Sequence, residues 1–156
     1  MLLSKKNKPL FELILRKYES PEDNLSPREL IHKICLSLGL VKPNNQYDIM
    51  SDIFYEIFMS KRSLSSKQII SNVEKYRSKN SLSLIGLTYP NVMRNLRKLK
   101  SLNIIESVSD KYRLTENDTL LNIFNEKIVP SYINPIIQRL TLYLDKADKI
   151  RTNNKN

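Results

Sequence analysis

The sequence predicts a mainly α-helical fold with one small β-hairpin. Most apolar residues recur at three- and four-residue spacing, which is the period of a helix with one buried face. A single stretch, residues 104–115, instead has two short β-prone runs separated by a turn. The chain has 156 residues and is 40% hydrophobic, which suffices for one domain with a core but not for two full domains.

Two helices are predicted before residue 40. Residues 9–18 carry apolar side chains at helical spacing and favour a short amphipathic helix. Ser26, Pro27 and Glu29 then form a helix start, with a capping hydroxyl, a proline at the first helical position and a carboxylate three residues after the cap. Gly39 predicts the end of this helix, because glycine readily adopts the left-handed conformation that is common there.

Two further helices are predicted in the middle of the chain. The first, residues 48–60, has an apolar stripe that we assign to the core and that contains Ile49, Met50, Ile53, Phe54, Ile57 and Phe58. The second follows a capping pattern that starts at Ser65, after a short extended link at residues 63–65. Residues 78–88 show no helical period and predict a loop, which has room for a short strand at residues 82–87.

The helix predicted at about residues 90–102 has two different faces. Its apolar stripe contains Val92, Met93, Leu96 and Leu99. The opposite arc, with Arg97 on its flank, is cationic and rich in amides and contains Asn91, Arg94, Asn95, Lys98 and Ser101. After this helix, a turn at residues 109–110 predicts an antiparallel hairpin.

The remainder of the chain predicts two more helices and a tail. One helix starts near Asn117 and is broken at Pro130, and the last one begins at Asn134 with a proline in its first position. Apolar residues recur along the last helix at spacings of 4, 3, 4 and 3, at Ile133, Ile137, Leu140, Leu144 and Ala147. Residues 151–156 are predicted to be a disordered polar tail.

The formal charge of +10 is concentrated in one segment. Residues 61–115 carry twelve basic and three acidic side chains, net +9, whereas residues 1–60 are neutral and residues 116–156 carry +1. A focused basic segment in an otherwise balanced chain indicates a polyanionic partner, because each neutralised phosphate releases counterions. The alternative interpretation is a solvated basic face that only aids solubility.

Composition argues against most enzymes and against metal or cofactor sites. The lone Cys35 and the lone His32 cannot build a zinc site or a catalytic set, and two glycines exclude the glycine-rich phosphate loops. Asp48, Asp52 and Glu56 recur every four residues like a row of metal ligands, but a polar helix face explains them equally well. We expect no cofactor and no metal.

The same composition bears on the compartment. No 18-residue apolar run is present, so no membrane span is predicted. The first six residues are too interrupted for a secretory signal, and one cysteine cannot form an internal disulfide. We therefore expect a cytoplasmic protein.

The predicted order of helix, short link, helix, basic helix and hairpin is similar to that of a known protein family. Residues 89–115, YPNVMRNLRKLKSLNIIESVSDKYRLT, resemble the recognition helix and wing of prokaryotic and archaeal winged helix-turn-helix transcriptional regulators. Many members have glycine where Asn103 stands, and asparagine tolerates the same left-handed turn. The resemblance implies a winged-helix domain at residues 47–115, flanked by a helical extension at residues 1–46 and by C-terminal helices at residues 116–150. One departure is the long segment 78–88 between the second and third helices.

This family binds double-stranded DNA, with the recognition helix in the major groove and the wing, residues 104–115, on the backbone. Arginine pairs with guanine and asparagine with adenine, so we expect base contacts from Asn91, Arg94, Asn95 and Lys98. For the phosphate backbone we expect contacts from Lys67, Lys75, Arg77, Lys79, Tyr89, Arg97, Lys111 and Arg113. Tyrosines 89 and 112 have the alternative role of capping the core, which we favour slightly for Tyr112.

The last helix predicts a homodimer. Its apolar face is wide, because Ile136 and Ile150 lie beside the apolar residues that recur at spacings of 4, 3, 4 and 3. In addition, two-fold symmetric DNA sites call for a dimeric protein. The expected interface consists of Ile133, Ile137, Leu140, Tyr143, Leu144 and Ala147. The alternative is that this helix packs against the first helices of its own domain.

We expect a non-enzymatic, sequence-specific DNA-binding protein that regulates transcription. The second hypothesis is a winged-helix module that binds protein or RNA in a transcription, replication or RNA-processing assembly. It would bind random duplex only weakly. The sequence names no small-molecule effector.

Overall fold

The computed structural model of the protein describes residues 7–45 and 48–154 and shows a mainly helical fold with a small antiparallel sheet. The expected domain boundary between residues 46 and 47 lies outside the described residues, as do the last two residues of the expected tail. The first part of the chain contains α1 (Pro27–Ser37), α2 (Met50–Met59), β1 (Leu64–Ser65), α3 (Ser66–Lys79) and α4 (Tyr89–Ser101). The second part contains β2 (Ile105–Val108), β3 (Lys111–Leu114), a short turn at Thr115–Asn117, α5 (Leu120–Ile123), a π-helical segment at Phe124–Ile133 and α6 (Asn134–Asn153).

Two of the predicted helix starts, at Ser26 and Ser65, are confirmed by their hydrogen bonds, whereas α5 is capped by Thr119 and Asn134 caps no helix. The hydroxyl of Ser26 accepts from the backbone N–H of Glu29 at 3.3 Å, and the Glu29 carboxylate accepts from the Ser26 N–H at 2.7 Å. Ser65 and Gln68 exchange the same pair of bonds at the start of α3. These bonds satisfy N–H groups that have no partner within the helix.

The predicted end of α1 at Gly39 is also confirmed. Gly39 has a φ of +66°, and the N–H of the following residue, Leu40, donates to the Cys35 carbonyl at 2.9 Å. This bond closes the last turn and satisfies one of the free carbonyls at the helix end.

Residues 9–18 form a segment without regular secondary structure rather than the expected helix. The backbone N–H of Arg16 donates to the Ser37 carbonyl at 2.9 Å, and its guanidinium donates to the carbonyls of Leu36 and Val41 at 2.9 and 3.0 Å. The segment is therefore held against the end of α1, where carbonyl groups lack intrahelical partners. These tertiary hydrogen bonds override the weak local helix propensity.

The core lies between α1, α2, α3, α4 and the sheet. Its largest fully buried side chains include Ile31, Ile49, Met50, Ile53, Phe54, Ile69, Leu96 and Leu99. The predicted stripe of α2 is thus confirmed except at Phe58, which is exposed because it lies at the far edge of the stripe near the end of the helix. Cys35 is fully buried and His32 is exposed, as expected.

The sheet has three antiparallel strands in the order β1-β3-β2. The predicted hairpin is confirmed, and its turn residues Ser109 and Asp110 have φ values of 50° and 59°, as a two-residue turn that matches strand twist requires. The short link before α3 is a strand of this sheet, with Leu64 opposite Tyr112. Residues 82–87 form no strand.

The C-terminal helices are continuous, so the expected break at Pro130 is wrong. Residues at both joints of the π-helical segment have right-handed helical dihedral angles, and the wider turns of this segment accommodate a residue that has no N–H to donate. The hydroxyl of Tyr132 donates to the Ser101 carbonyl, which ties this segment to the end of α4. Residues 151–153, which we expected in the tail, belong to α6.

No side chain of α6 is buried. The alternative that this helix packs on the first helices of its own domain is therefore wrong. Among the described residues, no helix is both long enough and apolar enough to cross a membrane.

Candidate nucleic-acid interface

Arg77, which we expected to contact DNA phosphates, is buried. Only 6% of the residue is exposed, and its guanidinium donates to the Asp52 carboxylate at 2.7 Å, the Ser83 carbonyl at 2.7 Å and the Asp48 carbonyl at 2.6 Å. The side chain points into the fold because its position on α3 faces α2. Its role is structural.

The carboxylates of α2 that resemble a row of metal ligands are paired with arginines. Arg28 donates to Asp52 at 2.9 Å and to Glu56 at 2.8 Å, and its guanidinium lies between the rings of Tyr55 and Tyr76 at 3.8 and 3.3 Å. This arrangement combines charge-assisted hydrogen bonds with two cation–π contacts. In the described part of the chain, no group of three or more His, Cys, Asp or Glu side chains is arranged to hold a metal ion.

The four residues expected to contact bases fall into two pairs. Arg94 and Lys98 are exposed on α4, whereas Asn91 and Asn95 are half-buried. The side-chain amide of Asn91 donates to the Gly86 carbonyl at 2.7 Å, and that of Asn95 donates to the Asn91 carbonyl at 2.8 Å. Each amide therefore uses one of its two N–H groups to secure α4 and the loop before it. Turning either side chain onto an adenine edge for a bidentate bond would break this contact.

Arg94 and Lys98 border a cleft of about 260 Å³ between α4 and the segment that leads into α2. Lys42 and Asp48 line the opposite wall. Arg94 donates to the side-chain oxygen of Asn91 at 3.2 Å, which orients its guanidinium along the outside of α4. One edge of α4 thus carries two exposed cations, with a third across the cleft.

The other exposed edge of α4 approaches the hairpin at Arg97. Burial raises the pKa of the Tyr112 hydroxyl on β3, and Tyr89 and Asp110 raise it further, whereas Arg97 lowers it. Arg97 therefore lies within electrostatic reach of β3. Tyr112 is buried, in agreement with a core role, and Tyr89 is exposed.

A second cationic cleft lies between the hairpin and the turn that follows α2. It has a volume of about 640 Å³ and is lined in part by Lys61, Arg62, Gln68 and Lys111. We call it the hairpin cleft. Sequence reasoning missed Lys61 and Arg62, although they are adjacent cations at the start of the +9 segment and immediately precede β1.

The remaining expected phosphate contacts differ in their surroundings. Lys67, Lys75 and Lys79 are exposed on α3. Arg113, in contrast, is half-buried and donates to the Glu106 carboxylate on β2 at 2.8 Å. Its charge is therefore partly neutralised by the opposite strand of the hairpin.

No protein-family model matches this chain, and no curated protein or solved structure is significantly similar to it. The geometry and charge of the described residues are therefore the basis for assigning a function.

Proposed function

We propose that the protein is a winged helix-turn-helix DNA-binding protein that regulates transcription, with residues 47–115 as its DNA-binding unit. Two features support the proposed domain type: the element order of helix, strand, helix, helix, strand and strand from α2 to β3, and the strand order β1-β3-β2. In this proposal α4 is the recognition helix and the β2–β3 hairpin is the wing. The major groove of DNA admits an α-helix of this kind.

The observation that carries the proposal is the exposed cationic strip of α4, formed by Arg94, Arg97 and Lys98, with the hairpin cleft as a second group of cations. Arginine and lysine are the side chains that most often read guanine in the major groove. We propose Arg94 and Lys98 as base contacts. Asn91 and Asn95 would position α4, because their amide donors are engaged within the fold.

Phosphate contacts would come from the hairpin cleft and from exposed lysines of α3. We propose Lys61, Arg62 and Lys111 in the cleft, together with Lys67, Lys75 and Lys79. Such contacts set the orientation of the protein on the duplex without reading sequence. We further infer that the protein is not an enzyme and that it acts in the cytoplasm.

The test is fluorescence anisotropy on a random 30-base-pair duplex, titrated between about 50 and 200 mM salt. Six to ten phosphate contacts predict a loss of roughly 10³–10⁵ in affinity across that range. The double variant Arg94→Ala/Lys98→Ala should bind more weakly, with a salt slope close to that of the wild type, because these two side chains are proposed to contact bases and not phosphates. Arg139→Ala/Lys146→Ala on α6 removes the same charge from exposed positions away from the proposed face and is the matched control.

Equal weakening in the control would show that total charge, and not the α4 strip, drives binding. Weak wild-type binding that barely depends on salt would argue against DNA. The chain would then fit a winged-helix module that binds a protein or RNA partner.

A further inference from the structure

Helix α6 presents a long row of apolar side chains that the chain itself does not cover. Ile137 and Leu140 are each 56% exposed, and Leu144 is 57% exposed. Apolar rows of this length on a surface usually mark an interface, because their burial is strongly favourable.

The spacing of the row indicates which kind of surface covers it. Ile133, Ile137, Leu140, Leu144 and Ala147 repeat on average every 3.5 residues, which is the period of a coiled-coil seam and not that of a straight helix. Ile136, Tyr143 and Ile150 extend the row on one side only. Another α-helix is therefore the surface that fits.

We propose that α6 pairs in antiparallel orientation with α6 of a second copy of this chain, with the two-fold axis near residue 142. This register places Leu140 against the partner's Leu144 and Ile137 against the partner's Ala147. The seam is then complementary to itself, which closes a symmetric dimer. The inference goes beyond the proposed DNA binding and does not depend on it.

The side residues favour the antiparallel orientation. In an antiparallel pair, Ile136 lies near the partner's Ile150, and Tyr143 lies near its own counterpart, so the apolar residues of the row that belong to α6 meet one another. Ile133 packs partly against the core of its own chain and lies at the end of the seam. In a parallel pair, Ile136 and Tyr143 would instead lie next to the partner's Thr141 and Asp148. The two Arg151 side chains would also face each other in the seam and repel.

The area is adequate for a stable pair. A 20-residue helix is about 30 Å long. Seven apolar side chains of α6, at roughly 60–120 Å² each, would bury about 400–850 Å² per chain, and a standard interface buries about 800 Å² per partner.

The first experiment is light scattering on the full chain at tens of micromolar, without DNA. We expect twice the chain mass of 18.3 kDa. Leu140→Lys should give a monomer with at least a hundredfold weaker association, whereas Leu142→Lys should stay dimeric. Leu142 is the matched control because it is 59% exposed and lies on the opposite side of α6.

A wild-type mass of one, three or four chains would overturn the proposal, as would equal effects of the two lysine variants. Because no side chain of α6 is buried within its own chain, both variants should fold to the wild-type helix content, and only Leu140→Lys should lose the part of the thermal stability that depends on protein concentration. DNA binding is measured separately, so failure of the dimer and failure of the proposed function are distinguishable.

The second experiment tests orientation by disulfide formation. Ile137→Cys and Ala147→Cys should cross-link only when the two variants are mixed, because these positions face each other only in the antiparallel pair. Cross-linking of either variant alone would show a parallel pair and overturn the proposed register. Cys35 should not interfere, since it is fully buried and burial raises the pKa of its thiol to about 12.

Discussion

The guanidinium of Arg77 lies 2.7 Å from the carboxylate of Asp52, so that a side chain of α3 is ion-paired to α2 inside the fold. The same guanidinium also donates to the Ser83 carbonyl, which belongs to the long segment between α3 and α4. One of the twelve cations of the basic segment is thus a structural group that holds three elements together, and it is not available to a phosphate.

We expect Arg77→Ala to lower the free energy of unfolding by about 3 kcal/mol or more, because it leaves the carbonyls of Asp48 and Ser83 and the Oδ2 atom of Asp52 without their donor. Lys79→Ala, on the exposed side of the same helix, should change it by less than about 0.5 kcal/mol. Urea unfolding followed by circular dichroism measures both. A stable Arg77→Ala variant with a reduced salt slope for DNA binding would contradict this assignment.

The hairpin cleft should supply phosphate contacts. We expect Arg62→Ala/Lys111→Ala to weaken binding to all duplex sequences alike and to reduce the salt slope by about two, since each lost phosphate contact removes about one unit. The measurement is anisotropy at several salt concentrations on two unrelated duplexes. The variant Arg139→Ala/Lys146→Ala again serves as control. A change in sequence preference without a change in slope would show that these residues read bases.

Gly39 should be intolerant of any side chain. A Cβ atom there would lie 2.6 Å from the Cβ of Ile14 and 2.9 Å from the Ile14 carbonyl oxygen, and φ is +66°. We expect Gly39→Ala to lower the free energy of unfolding by about 2 kcal/mol or more. It should also release residues 9–18 from the end of α1, so that trypsin cleaves faster at Arg16.

The matched comparison for Gly39→Ala is Asn103→Gly, at a second left-handed position with a φ of +59°. It should alter stability by less than about 1 kcal/mol, because glycine relieves strain there. Unchanged stability and cleavage in Gly39→Ala would show that the segment is not docked as described.

Asp48 should make stability fall as pH rises. Burial raises the pKa of its carboxyl, against the smaller opposing effects of the Met50 N–H, His32 and Arg77. Its Oδ2 atom is buried without a hydrogen-bond partner among the described residues. The folded state therefore holds this proton to higher pH than the unfolded chain, so the contribution of Asp48 to stability is greatest at low pH and is lost as pH rises through the folded pKa.

Relative to the wild type, Asp48→Asn should therefore gain stability as pH rises above about 4, the ordinary pKa of an aspartate, and through the raised pKa of the folded state. Glu29 provides a control of opposite sign, because hydrogen bonds from Ser26 lower the pKa of its carboxyl. Glu29→Gln should lose stability relative to the wild type as pH rises above the folded pKa of that group. Thermal unfolding from about pH 3 to about pH 8 measures both, because the Glu29 effect lies below the ordinary glutamate pKa and the Asp48 effect above the ordinary aspartate pKa. Parallel curves for the wild type and Asp48→Asn would contradict the burial of this charge.

Local signals predicted much of the fold. The capping pairs at Ser26 and Ser65, the glycine at the end of α1 and the turn of the hairpin were all correct, because each depends on hydrogen bonds or dihedral angles within a few residues. The buried stripe of α4 followed from helical period alone. The concentration of charge between residues 61 and 115 is likewise a property of the sequence.

Distant contacts determined the rest. Residues 9–18 are not helical because carbonyls at the end of α1 bind Arg16, and Arg77 is buried because Asp52 faces it from another helix. The side-chain amide of Asn91 donates to the Gly86 carbonyl in the preceding loop. Packing of the hairpin places Lys111 beside Lys61 and Arg62 in the hairpin cleft. Helical period places a side chain on a face, but the partners that occupy its hydrogen bonds come from elsewhere in the chain, so they emerge only when the elements pack.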